Sequence, residues 1–271
     1  MAAWLNPDPD QPMSLGSHLG ELRRRIVPPV VVLALGFILG FAYHAQLKLA
    51  IIWPLQRAIE LVGPEVAARL RLPTDGTARL FMVTDLAESA INAATLSMYA
   101  ALALAIPVIL WELWQFIAVG LKPAERRLAF LFVPAAVLFF YGGMLLGYFL
   151  GIPYMYAWLI QFTDSDPTVV IQLKQADYID SFFNWTIAFG LIMDIPWAVM
   201  VLVRTGLMKP DQLAKARRWV VMVNLVLAAM LTPGSDLASL LALAVPMQLL
   251  FELGLIASRF MVPKRSTDQE R

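Results

Sequence analysis

Residues 18–43, HLGELRRRIVPPVVVLALGFILGFAY, set three arginines, Arg23, Arg24 and Arg25, directly before an uncharged apolar run from Ile26 to Tyr43. As a helix rising about 1.5 Å per residue, that run is close to the roughly 30 Å depth of a bilayer's hydrocarbon core. Pro28 and Pro29 read as part of its opening turn, where their missing N–H groups have no helical partner. The stretch therefore predicts a membrane-spanning helix with a basic flank.

Outward from it, the pattern repeats. Further apolar blocks run over Glu88–Phe116, Leu128–Leu150, Phe182–Val203, Trp219–Leu231 and Leu237–Ala257. Overall 59% of the 271 residues are hydrophobic and 15% charged, with a mean hydropathy of +0.68, well above the ~45–50% apolar share of soluble domains. The expected fold is all-α: a polytopic membrane protein of six kinked transmembrane helices. It reads as a single integral domain over 1–271, with tails at 1–25 and 258–271 around a bundle at 26–257. Lys48 to Leu86, punctuated by Pro54, Pro64, Pro73 and Gly76, reads as an outside loop in which Glu65–Leu72 forms a short surface helix. A polar loop with Asp164, Asp166 and Lys174 follows the third block, and a basic loop with Lys209, Lys215, Arg217 and Arg218 precedes the fifth. That fifth block would make under about 20 Å of helix. Either it sits where the bilayer is thinned or shielded by protein, or its ends extend into the flanking polar residues with snorkelling.

Fifteen of the 21 Lys and Arg lie in the tails and the connectors on their side of the bundle, against six on the other side. The positive-inside rule then places both termini in the cytoplasm. A net charge of +1 with scattered basic residues excludes a nucleic-acid partner. Without Cys there is no disulfide, thiolate metal site or Cys nucleophile, and His18 and His44 are too far apart in sequence to suggest a metal centre. No metal or cofactor is expected. Residues 1–17 lack the basic region, apolar core and small-residue cleavage site of a removable signal peptide, so no cleavage is expected there.

Acidic residues inside apolar blocks are the first functional candidates, because a charge at bilayer depth costs at least about 2.5–3.5 kcal/mol on insertion scales and faces protein or water. Asp194 is the deepest, two residues before Pro196. It reads either as a buried Asp satisfied by Asn184, Asn224 or Thr186, or as a group used in substrate passage or partner contact. Glu112 and Glu252 lie nearer the ends of their blocks, with structural and functional readings both open. Gln248, one turn before Glu252, shares its face and can hydrogen-bond to it. Pro107, Pro134, Pro196 and Pro246 mark kinks that can enclose a concave surface. At the basic end, Glu21 beside the arginine triplet and Glu125 between Pro123 and Arg126 read either as loop carboxylates neutralised by neighbours or as paired docking points for guanidinium groups.

These residues resemble the TatC family, the multispanning subunit of the twin-arginine translocase. His18-Leu19-Gly20-Glu21-Leu22-Arg23-Arg24-Arg25 is similar to that family's His-Leu-x-Glu-Leu-Arg-x-Arg signature before a first span. Trp53-Pro54-Leu55, Pro107 to Phe116, Gly120-Leu121 with Glu125-Arg126-Arg127, Phe189-Gly190 with Pro196, and Leu231-Thr232-Pro233 with Asp236 follow in family order. Pro246-Met247 and Phe251-Glu252 with Ser258-Arg259-Phe260 complete it. The resemblance implies a receptor binding twin-arginine signal peptides of folded cargo through Glu21 and Glu125, with Arg23 and Arg126 alongside. It also implies single-span TatA and TatB partners, self-association, contact with membrane lipid, and use of the proton-motive force without ATP in a bacterial or archaeal inner membrane. Asp194 stands where that family more usually has Glu or Gln, and Val119 replaces a common Pro.

Two other functional classes fit the sequence less well. A proton-coupled solute transporter using Asp194 would be expected to show an internal repeat with broken helices, and none is visible. An intramembrane enzyme lacks a nucleophile or metal set.

Overall fold

The computed structural model describes residues 15–72, 80–83, 85–118, 123–165, 171–204, 208–231 and 237–260. Helix dominates. The first helix, α1 (Leu15–Ala42), starts about three turns before Ile26. This corrects the expected start, and it puts Pro28 and Pro29 inside the helix rather than in its opening turn. The stretch before them contains good helix formers, and proline within membrane helices is tolerated when neighbours re-satisfy the freed carbonyls.

The second correction is larger. Most of the expected loop from Lys48 onward is helix: α2 (His44–Val62) and α3 (Pro64–Arg69). Ile51, Leu55, Ala58 and Ile59 are buried at helical spacing along α2, which is an amphipathic stripe laid over the bundle end. Pro54, which reads as punctuation in sequence, sits within α2 and is itself buried.

The central helices are α4 (Glu88–Ala118), α5 (Pro123–Leu146) continued through a π-helical turn at Gly147–Gly151 into α6 (Ile152–Asp164), and α7 (Gln175–Arg204). The third apolar block ends near Leu150 in sequence, but helix runs on to Asp164, a residue that the sequence pattern places in a loop. The loosened turn falls where Gly147, Gly151 and Pro153 weaken regular i→i−4 bonding. α8 (Pro210–Lys215), α9 (Arg217–Leu231) and α10 (Leu237–Phe260) complete the chain. Two-residue strands, β1 (Phe81–Met82) and β2 (Leu173–Lys174), pair in parallel at the same end as α2 and α3, a small departure from the expected all-α fold.

Small residues set the register between helices, as expected in lipid, where burial of apolar surface does not favour helix pairing and close backbone approach does. A Cβ on Gly36 would lie 3.1 Å from Ala101, and one on Gly40 would lie 3.2 Å from Ser97, so α1 runs antiparallel to α4. Phe189 of α7 fills the stripe made by Gly143, Gly147 and Gly151. A Cβ on Gly254 of α10 would come 2.6 Å from the Cα of Pro196.

Five helical segments among the described residues are long and apolar enough to cross a membrane: Arg23–Ala42, Glu88–Glu112, Val133–Asp164, Gln175–Arg204 and Leu243–Phe260. α9 has 15 residues, about 22 Å of helix, and is shorter than these. It packs antiparallel on α10, with Arg217 meeting Glu252 and Asn224 meeting Gln248, and the start of α1 and the end of α10 lie at one end of the bundle.

Two prolines share one remedy. Pro54 has no N–H for the Ala50 carbonyl, and Pro107 has none for Ala103. Tyr148 donates its hydroxyl to the Ala50 oxygen at 2.7 Å, and Tyr141 donates to the Ala103 oxygen at 2.6 Å. The two tyrosines lie seven residues apart, on one face of the long helix, and stitch it to α2 and α4. Trp53 stacks on Tyr148 with ring centroids 5.3 Å apart. An orphaned buried carbonyl costs about 1–3 kcal/mol. Tyr141→Phe, which orphans a part-buried carbonyl, should lower unfolding stability in detergent by that amount; Tyr148→Phe, whose bond to Ala50 is exposed, should cost less, and Tyr154→Phe at an exposed position should leave the melting curve in place.

Candidate functional site

The basic end of the bundle is assembled from the start of α1, the end of α4 and the start of α5. Gly40 faces Ser97, Gly36 faces Ala101, and Arg25 faces Glu112. Continued by one more turn, that antiparallel register sets Glu21 level with the last turn of α4. Glu125 is the third residue of α5, which starts just beyond the end of α4. The helix turns carrying the two candidate carboxylates therefore belong to the same end of the bundle. The side chains of Glu21, Glu125 and Arg126 lie outside the described residues, as do residues 119–122. Arg23 is exposed.

Glu112, one of the three acids within apolar blocks, is paired. Arg25 donates from Nη1 to Glu112 Oε2 at 3.1 Å and also to the side-chain oxygen of Gln115. Both side chains of the ion pair are largely shielded, with 25% and 16% of their surface exposed, so water screens the pair less than it would a surface bridge. Glu252 is paired as well. Arg217 donates to it at 2.8 Å, Gln248 donates to its other oxygen at 3.4 Å, and Asn224 donates to Gln248 at 3.1 Å. The Gln248–Glu252 contact was legible from spacing; Arg217 and Asn224, supplied by α9, were not.

Asp194 differs. Its Oδ1 is buried and has no hydrogen-bond partner among the described residues. Thr186 donates instead to the Phe182 carbonyl of its own helix at 2.7 Å, and Asn224 is engaged with Gln248. Asn184 is exposed. None of the three residues suggested as satisfying this oxygen does so. Pro107, Pro196 and Pro246 lie inside α4, α7 and α10, with Pro196 held against Gly254.

At the opposite end, Arg69 of α3 grips Asp164 through two hydrogen bonds of 3.1 and 2.5 Å, Lys48 donates to Gln175 at 3.0 Å, and Tyr99 donates to Asp180 at 3.1 Å. The first two pin α3 and α2 across the ends of α6 and α7, and the third ties α4 to α7. Among the described residues, no group of His, Cys, Asp and Glu is arranged to hold a metal ion.

Residues 17–246 match the family model for the Sec-independent protein translocase protein TatC. The Sec-independent protein translocase protein TatC of Deinococcus radiodurans is 35% identical over 269 residues, covering 98% of this chain and 94% of its own length. Its namesake from Carboxydothermus hydrogenoformans is 29% identical and covers 97% and 99%. A crystal structure of the twin arginine translocase receptor TatC superposes with a TM-score of 0.67 at 22% identity, over 90% of this chain and 99% of that one. This multi-pass membrane chain belongs to the TatC family of Sec-independent protein translocase proteins, and it is a transport component rather than an enzyme.

Proposed function

We propose that the chain is the receptor and core subunit of a twin-arginine translocase in the inner membrane. Glu21 and Glu125 bind the paired guanidinium groups of a signal peptide, with Arg23 and Arg126 shaping the charge of the same surface. The observation that carries this reading is the α1–α4 register, which brings the helix starts bearing both acids to one end of the bundle. Carboxylates suit the task because a guanidinium presents a planar fork of donors that an ionised carboxylate accepts in two parallel bonds.

The remaining parts follow the same reading. The single integral domain crosses the bilayer six times, α9 being the fifth crossing, with both termini in the cytoplasm as the distribution of Lys and Arg dictates. Single-span TatA and TatB partners and further copies of the chain pack on its apolar faces among lipid, and the proton-motive force drives passage of folded cargo. Asp194, with an oxygen left over at depth, meets a polar group of a partner or substrate, whereas Glu112, Glu252 and Gln248 are occupied in holding helices together.

A photo-crosslinker at position 125, in membranes, tests the site. It should capture a signal peptide with paired Arg and lose most of the product when both Arg are replaced by Gln. Equal capture of the two peptides, or labelling of position 125 only from the periplasmic side, would remove the receptor site.

A further inference from the structure

The clamp from Arg25 to α4 joins the two halves of the proposed receptor surface. Glu112 and Gln115 lie three residues apart, on one face of α4, and both accept from the same guanidinium nitrogen of Arg25. On α1, Arg25 lies one turn after Glu21 and on the same face. The glycine contacts that seat α1 on α4 stop at Gly36, about three turns from Arg25. Toward the basic end, the Arg25 bridge continues the pairing of the two helices, and Glu21 lies about 6 Å beyond it along the helix axis.

We infer that Arg25 is a positioning residue, which through Glu112 and Gln115 holds the Glu21 turn of α1 in a fixed place relative to the α4–α5 corner that carries Glu125. This rests on the receptor reading above. Its physical basis is preorganisation. Two carboxylates that must engage adjacent guanidinium groups together gain affinity when their spacing is set before the peptide arrives, because ordering them then costs nothing on binding. A largely shielded ion pair backed by an amide acceptor supplies a tether beyond the last of the glycine contacts. The sequence distributes these parts over residues 21 to 125, so only the helix register reveals the connection.

The test uses the full chain in lipid nanodiscs, and the absence of native Cys leaves it free for labelling. Spin labels are placed at Gly20→Cys, where a Cβ meets open space, and at Ala124→Cys. The distance distribution between them should be narrow in the parent chain. It should broaden in Arg25→Gln and in Glu112→Ala, and narrow again in the charge swap Arg25→Glu with Glu112→Arg. Affinity for a peptide bearing paired Arg should fall about tenfold in each single variant and recover in the swap. Unchanged distances in the single variants would overturn the inference, as would broadened distances with unchanged affinity. Affinity that falls and is not restored by a swap that restores the distances would mean that Arg25 touches the peptide itself, and would also overturn it. No peptide binding by the parent chain, with a narrow distance distribution, would sink the receptor reading and the positioning role together; a clamp failure instead leaves parent binding intact, so the two failures are separable.

Discussion

Glu21→Ala and Glu125→Ala should each abolish export of a twin-arginine reporter while the protein still accumulates in the membrane. Charge-assisted hydrogen bonds are worth about 1.5–3 kcal/mol each, and a carboxylate facing a guanidinium can make two. Losing one such partner lowers peptide affinity by at least about tenfold. The bundle has contacts that do not involve either acid: the α1–α4 pairing runs through Gly40, Gly36 and Arg25, and α5 is held to α7 by the Phe189 stripe. Stability should therefore survive both changes. Glu21→Gln and Glu125→Gln separate charge from shape, because an amide keeps one acceptor oxygen and loses the ionic pairing. Measurement requires reporter in the periplasm alongside chain abundance in the membrane. Wild-type export by both Ala variants would leave the guanidinium-binding role without a residue to carry it.

Composition alone carried the membrane character of the chain, because apolar runs near 20 residues have no other stable use in a chain with so few charges. The starts of α4 and α10 and the body of α7 fall where the apolar blocks place them. α2 and α6 escape a sequence reading for separate reasons. α2 is amphipathic rather than uniformly apolar, and Pro54 reads as a break; its cost is relieved by Tyr148, a residue almost a hundred positions away that no local rule connects to it. α6 extends past Leu150 because its stripe of Ile152, Tyr156 and Ile160 packs on α2 and α7; its exposed face is aromatic, with Tyr154, Trp158 and Phe162, and Gly151 and Pro153 at its start read as the beginning of a loop. The site divides in the same way. Glu21 and Glu125 were legible from local motifs, as was the Gln248–Glu252 contact from i,i+4 spacing. Arg25–Glu112 and Arg217–Glu252 were not, although both acids lie in apolar blocks and both arginines flank apolar blocks at the same end of the bundle. The expectation that acids at the membrane pair with a nearby cation, combined with helix direction, would have found them.

Two adjacent glycines should respond to the same substitution in opposite ways. A Cβ on Gly142 meets nothing within 4 Å, while a Cβ on Gly143 would sit 2.4 Å from the backbone oxygen of Phe189 and 2.9 Å from the Cα of Gly190. Gly142→Leu should leave thermal unfolding in detergent unchanged. Gly143→Leu must push α5 away from α7 along its length, because backbone atoms cannot turn aside as a side chain can; overpacking of this kind costs at least about 1–3 kcal/mol. A second-site test separates backbone from ring. At Gly151 the obstruction is the ring of Phe189, whose Cζ would lie 2.1 Å from an added Cβ. Phe189→Ala should therefore recover much of the stability lost in Gly151→Ala and none of that lost in Gly143→Leu. Equal melting of Gly142→Leu and Gly143→Leu would mean that α5 and α7 do not meet at this face. Since α7 also carries Asp194 and rests on α10 through Pro196, a displaced α7 should impair export as well as stability, whereas the Gly142 variant should match the parent in both.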